Sequence, residues 1–347
     1  MVSEKPEEFN KRQWRKAPMA KRVFDGTRRG IILAGAAAVM LAAMPQAQAA
    51  WPDKPIRLVL PFGAGGVGDV TARIVAEKLG DKLGQRIAIE NMPGPGGISA
   101  ARAVTTAQPD GYTLGLLSNG TAAAVATFKK LPFDPLTEFA MVSTMGQFDA
   151  VLAVSAKSEF KTLGDLLKAA KANPGKINVG TITAGSTQNL GGEYFKSAAD
   201  IDVVIVPYKS SPDIVVGLLR NDVQMMLDFP PAVKGQVESG DIRLLATAAD
   251  KRSQMFPNVP TAAEQGMKGF RVYSWNGIFA PKDTPKEIVD KLNKGIREVL
   301  AMKEVQEQFA KLSIEAQPSS PEELMQRLKD DIANLNMVVD KAGIVRK

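Results

Sequence analysis

The 347-residue chain contains no cysteine and no histidine. Without cysteine there is no thiol nucleophile, no thiolate metal site and no disulfide framework, so stability must come from core burial and an oxidising compartment is tolerated. Without histidine there is no Ser-His-Asp triad, and the commonest zinc and iron ligand sets are gone. Catalysis would fall to Asp, Glu, Lys, Tyr and Ser acting without an imidazole, the group most used for proton transfer at neutral pH. These absences argue against an enzyme, and neither metal nor cofactor is expected. A membrane-spanning run is also lacking: the stretch "IILAGAAAVMLAA" has thirteen residues, short of the roughly 20 that a bilayer needs.

That apolar stretch belongs to a leader. A basic run ending in Arg28 and Arg29 precedes it, and "MPQAQAA" follows, with Ala47-Gln48-Ala49 as a small-x-small cleavage site. Residues 1–49 are therefore read as a signal peptide cleaved near Ala49 and Ala50, and the mature protein as periplasmic. "TRRGIIL" fits a twin-arginine signal as well as an ordinary one, and translation from Met1 or Met19 is equally compatible with it. The leader carries nine of the 44 basic and four of the 37 acidic residues, so the net charge of +7 falls to +2 without it. A nucleic-acid partner, which would need a dense basic face, loses its support.

Along the rest of the chain, strand-like and helix-like runs alternate. "IRLVLPF", "RIAIEN" and "YTLGLLS" are separated by helical segments, which argues for an α/β unit with a largely parallel sheet. A second unit repeats the habit from about residue 151 with "VLAVSA", "INVGTI" and "VVIVPY". Near the end, "TPKE" at Thr284 and "SPEE" at Ser320 read as capping boxes opening two helices. Ile288, Leu292 and Ile296 form one apolar stripe and Leu324, Leu328, Ile332 and Leu335 the other, both suited to packing. "DAVLAV" and "FRVYSWNGIFA" are the expected crossovers between units, with no floppy linker. The expected lobes are residues 50–150 plus 274–347 and residues 151–273, the wiring of a hinge-closing binding protein.

"IRLVLPFGAGGVGD" raises one competing reading. Gly63, Gly65 and Gly68 spell G-x-G-x-x-G after a strand, and Glu90 ends a second strand at about the ~20-residue distance of a ribose-binding acid. Pro61 and Phe62 between strand and glycines, the export signal and the missing imidazole all speak against a dinucleotide enzyme. The loop still suits an anion, because glycines admit close approach and the helix expected near Asp69 or Val70 points its amides at the ligand.

The chain resembles the solute receptors of tripartite tricarboxylate transporters, the Bug family. The blocks that carry the resemblance include "WPDKPIRLVLPFGAGGVGDVTAR", "NMPGPGGISAA", "PDGYTLGLLSNGT", "KANPGKINVGTITAGSTQNLGGEYFK", "VPYKSS", "MMLDFPPAV" and "SWNGIFAP", in the family's order over nearly the whole mature chain. The resemblance implies a type II periplasmic-binding-protein fold, with two mixed α/β sheets flanked by helices and a ligand cleft between lobes. It also implies a small organic acid as ligand, inner-membrane transporter subunits as partners, and a monomer. A ligand sensor serving a signalling partner is the alternative.

By the same resemblance, ligand contacts fall on the first loop, Phe62, Gly63, Ala64, Gly65 and Gly66, and on Asp69, whose other reading is a helix cap. The second lobe would add Gly185, Ser186 and Thr187, where hydroxyls and amides can bind a carboxylate, the other reading again being a cap. Asn119, Thr121, Tyr208 and Asp228 complete the set, the last two being equally compatible with structural roles. Three departures from the family pattern reduce the polar anchors: "GAGGVG" where proline and a hydroxyl residue are usual, Asn189 where many have His, and Phe229 where Asn is frequent. They leave an aromatic or short-chain monocarboxylate as open as a dicarboxylate.

Overall fold

The computed structural model describes residues 51–347. The expected signal peptide and its cleavage site at Ala49 and Ala50 lie outside these residues.

The first sheet is built from β1 (Ile56–Leu60), β2 (Ile87–Asn91), β3 (Thr113–Ser118) and β4 (Phe139–Asp149). Helices α1 (Val67–Leu83), α2 (Ile98–Thr105) and α3 (Asn119–Thr127) connect the first three strands and lead on to β4. In β1, "IRLVL", four of the five residues are buried, the near-continuous apolar run that a strand covered on both faces requires. The second sheet follows at once: β5 (Val151–Ser155), α4 (Leu163–Ala172), β6 (Asn178–Ile182), α5 (Thr187–Ala198), β7 (Val204–Tyr208), α6 (Ser211–Leu219), β8 (Met225–Asp228), α7 (Pro230–Glu238) and β9 (Ile242–Thr247). The chain then returns through β10 (Tyr273–Pro281) and ends in α8 (Lys286–Leu300), α9 (Lys303–Ala310), β11 (Glu315–Ala316) and α10 (Pro321–Lys341).

Strand order is β11-β4-β10-β3-β1-β2 in one sheet and β7-β6-β8-β5-β9 in the other. Each is mixed rather than largely parallel: β1 runs parallel to β2 and β3, while β10 is antiparallel to β3 and β4. Likewise β6 is parallel to β7 and β8, and β5 is antiparallel to β8 and β9. The antiparallel members are the strands at which the chain changes sheets. It leaves the first sheet at Ala150 and returns at Val272, and backbone bonds tie these points together: Ala150 N–H to Val272 C=O (2.8 Å), Val272 N–H to Ala248 C=O (3.0 Å) and Ala248 N–H to Ala150 C=O (2.8 Å).

Both terminal stripes are packing surfaces. Ile288, Leu292 and Ile296 are buried, as are Leu324 and Leu328, while Ile332 and Leu335 are partly covered. Only one of the two expected capping boxes forms. Ser320 accepts from the Glu323 amide and Glu323 reaches back to Ser320 N–H. At α8 the Thr284 hydroxyl instead donates to the Pro281 carbonyl, 2.8 Å, and Pro285 stands at the cap without a side-chain bond.

Candidate functional site

Where the two sheets face each other, two small cavities of about 30 and 20 Å3 remain. The first has room for about two or three waters and the second for about one or two, since one water takes roughly 10–15 Å3 by this measure. The smaller, the glycine-loop cavity, is where three helices begin. Gly66, Val67 and Gly68 open α1 from the first sheet; Thr187 and Gln188 open α5, and Ser210 and Ser211 open α6, from the second. Helix starts present unpaired amides and a positive dipole end, so their convergence favours an anion. Ser118 and Ser274 add hydroxyls, Phe62, Phe148 and Phe229 add aromatic walls, and among the described residues no lysine or arginine lines either cavity.

Local chemistry explains each helix start. Ser186 accepts from the Asn189 amide (3.1 Å) and Ser210 from the Asp213 amide (3.4 Å), as N-caps do. At α1 the cap is Gly66 in extended conformation, so this helix starts at Val67 and not at Asp69 or Val70. Asp69 sits inside the first turn and reaches back to the Gly65 amide, 3.0 Å. Its carboxylate also takes two bonds from Arg73, at 2.9 and 2.8 Å, and one from Asn91, at 3.0 Å. Burial alone would push this carboxyl up; the bonds from Arg73, Gly65 and Asn91 outweigh it and hold the group below its ordinary range.

The first-loop glycines serve closeness between the sheets. A Cβ on Gly63 would lie 2.6 Å from Ser210 Cβ, and one on Gly66 would lie 3.1 Å from the Ser211 hydroxyl. Gly65 adopts φ +84° against Pro212. Gly68 is different, since a Cβ there would strike the Phe62 ring at 2.7 Å. Its glycine is a packing requirement within one loop. Glu90, at the distance expected of a ribose ligand, is paired with Arg57 at 2.6 Å.

The expected site residues divide accordingly. Phe62, Gly63, Gly66 and Thr187 line the glycine-loop cavity, and Phe62, Thr121, Gly185 and Ser186 line the larger one. Ala64, Gly65, Asp69, Asn119, Tyr208 and Asp228 line neither. Asn119 bridges instead: it accepts from the Thr187 hydroxyl (3.3 Å) and donates to Asp331 of α10 (2.8 Å), which also receives Trp275 Nε1 (2.6 Å) and the Tyr273 hydroxyl (3.1 Å). The Tyr208 ring is packed over Gly217 of α6. Asp228 is fully buried and accepts from Gln188 (3.0 Å) and the Phe229 amide (2.8 Å) through Oδ1, while Oδ2 has no partner of good geometry. Burial pushes its carboxyl up, against the opposing influence of Ser211, Gln188 and the Phe229 amide.

Sequence reasoning passed over Ser118, Gln188, Ser210, Ser211, Ser274 and Asn276. Asn276 is the most telling, because its Nδ2 is buried without a partner at the cavity wall. "SWNGIF" carried the only signal, an amide inside an apolar strand. The unpartnered donor, the helix starts and the hydroxyls together suit a small anion with several acceptor oxygens. Among the described residues no group of three or more metal-ligating side chains is placed to hold an ion.

Residues 71–344 match the family described as the tripartite tricarboxylate transporter family receptor. The chain belongs to that family. Its fold agrees: the periplasmic binding protein BugD superposes with a TM-score of 0.82 at 31% identity, covering 86% of this chain and 100% of BugD. MatC from Rhodopseudomonas palustris, solved with bound malate, gives 0.79 at 31% identity over 83% of this chain and 100% of MatC. An R. palustris relative solved with adipate gives 0.82 at 31% identity over 85% of this chain and 99% of its own. The family is one of binding receptors, and the periplasmic-binding-protein fold with two mixed sheets is the observed one.

Proposed function

We propose that this receptor captures a small organic carboxylate between its two sheets in the periplasm and delivers it to the inner-membrane subunits of its transporter, acting as a monomeric binding protein with no catalytic step. The observation that carries the reading is the meeting of three helix N-termini from opposite sheets at one cavity lined by hydroxyls and an unpartnered amide. A carboxylate there accepts from both walls at once and so favours the closed arrangement. The malate and adipate of its relatives supply the same head group. Residues 50–150 plus 274–347 would move against residues 151–273 about the Ala150 and Val272 crossings. Export would leave a mature chain starting at Ala50; among the described residues no helix is long and apolar enough to cross a membrane.

Calorimetric titration of the protein purified from the periplasmic fraction, using malate, adipate and monocarboxylic acids, tests this reading. Thr187→Ala should weaken whichever acid binds by about 1–3 kcal/mol, because it removes the hydroxyl that bonds Asn119 across the cleft and leaves the Asn119 oxygen unpaired in the closed arrangement. Gly66→Val should weaken binding further: valine tolerates the φ of −82° there, but its Cβ would crowd the Ser211 hydroxyl at 3.1 Å and its methyl groups would intrude where the two sheets close on the ligand. Unchanged affinity in both variants, with unchanged melting, would move the site elsewhere. N-terminal sequencing of the same material checks the cleavage position.

A further inference from the structure

Helices α3 and α5 stand on opposite sides of the cleft and begin at one place, where the Thr187 hydroxyl meets Asn119. One turn further along both helices the contact becomes apolar. Leu190 of α5 is 4% exposed, yet its apolar cluster contains no other described residue of 151–273. Its companions are Ala123 and Ala126 of α3 and Val339 of α10, all fully buried, with Leu335 and Ile344 packed against them. Phe195, five residues on and so about 140° round the helix, packs instead on Phe270 of its own unit, at 5.7 Å between ring centroids. Leu190 is thus a knob on one unit whose socket is built by the other.

The socket is held from behind. Arg346 Nε donates to the Ala126 carbonyl (3.0 Å), Lys347 N–H to the Thr127 carbonyl (2.8 Å) and Lys129 N–H to the Lys347 carbonyl (2.8 Å). These bonds satisfy carbonyls at the end of α3 that have no partner inside the helix, and they place a guanidinium at the negative end of its dipole. They also fix the segment that carries Ile344, whose own N–H donates to the Val339 carbonyl (3.0 Å). Leu190 lines neither of the two cleft cavities, so its side chain takes no direct part in ligand choice.

We propose that Leu190 is a positioning residue for closure: its insertion into the socket of Ala123, Ala126, Val339 and Ile344 holds the two units together, and its withdrawal accompanies opening. This rests on the reading of a receptor that closes over a carboxylate. Opening about the Ala150 and Val272 crossings would expose the leucine and its socket to water, which favours the closed arrangement. A ligand that binds the closed arrangement better gains in proportion to the fraction of protein already closed. The residue therefore tunes the affinity for every such ligand by one factor and leaves the choice among them unchanged.

The test compares the native protein with Leu190→Ala and Leu190→Met by calorimetry and stopped-flow titration with malate, adipate and hexanoate. Leu190→Ala should weaken each acid that binds by one common factor of about tenfold, through faster dissociation. Leu190→Met, which refills the socket, should restore the native affinity. Ile344→Ser, which opens the socket from the side of the first unit, should weaken the same acids by about threefold. Thermal melts confirm that each variant is folded; should Leu190→Ala fail to fold, Ile344→Ser decides, and native affinity there overturns the proposal. Native affinity in a folded Leu190→Ala, with only the melting temperature lowered, would make Leu190 an ordinary packing residue and overturn it, as would a changed order among the acids. If none of the acids binds the native protein, the carboxylate reading falls and small-angle X-ray scattering of the ligand-free protein decides the role of Leu190. Leu190→Ala should then show the larger radius of gyration, and equal radii would overturn the proposal.

Discussion

Asp69 and Asp228 are both buried carboxylates beside the cleft, one in the first turn of α1 and one at the end of β8, and they are satisfied in opposite ways. Asp69 takes four hydrogen bonds, two of them from a guanidinium. Asp228 takes two from neutral donors, with one oxygen left over and no cation in contact. The first therefore favours its charged form in the folded state and the second its neutral form. The difference assigns them different work. Asp69 clamps the glycine loop to its helix and to Asn91 of β2, so the loop meets the opposite sheet as a rigid surface. Asp228 holds Gln188 and, through Phe229, the aromatic wall of the same cavity.

The comparison is broken most severely at Asp69. Asp69→Ala removes charge-assisted bonds and leaves the Gly65 amide and Asn91 without their acceptor, a loss of about 2–3 kcal/mol. A fall in melting temperature of about 5–10 °C is expected by calorimetry at neutral pH. Retention of the native melting point would show that Arg73 and Asn91 find other partners at no cost.

Acid should sharpen the contrast. A carboxyl held low stabilises the fold above its unfolded value, about 3.9, and that stability is lost as pH falls through the lower folded value. A carboxyl pushed up does the reverse: its penalty is absent below about 3.9 and grows as pH rises through the higher folded value. Melting curves from pH 7 to pH 3 should thus converge for the native protein and Asp69→Asn towards the acid end. A constant gap between them across that range would mean that the charge of Asp69 contributes nothing.

A smaller effect is expected at Asp228. Asp228→Asn keeps an oxygen for Gln188 and the Phe229 amide while removing a buried charge, so the variant should melt at or slightly above the native protein at pH 7 and match it near pH 4. A clear destabilisation at pH 7 would show that the ionised form has a donor for Oδ2. Least of all should a chelator matter: ligand titrations with and without EDTA should superimpose, and a loss of affinity on chelation would reveal a metal held by carboxylates alone.

Several features were legible before the fold was known. The alternation of strands and helices, the two apolar stripes near the end, the Ser320 capping box and the loop from Phe62 to Gly66 all depend on residues close in sequence. The Thr284 box failed for a tertiary reason: its hydroxyl found the Pro281 carbonyl, and Pro285 took the cap. Asn119 and Thr187 were both expected to touch ligand, yet they bond each other across the cleft, a pairing that exists only because β3 and β6 deliver two helix starts to one place. Asn276 gave no more local signal than an amide inside an apolar strand, because an unpartnered amide is defined by everything around it.

Absence of histidine and cysteine excluded whole reaction classes, and the order of motif blocks identified the family; these are properties of the chain alone, independent of where it folds. Which glycines press against Ser210 and Ser211 and which carboxylate finds a guanidinium were decided only in three dimensions. The physical reason is that hydrogen-bond satisfaction and desolvation depend on partners distant in sequence, which a local pattern does not contain.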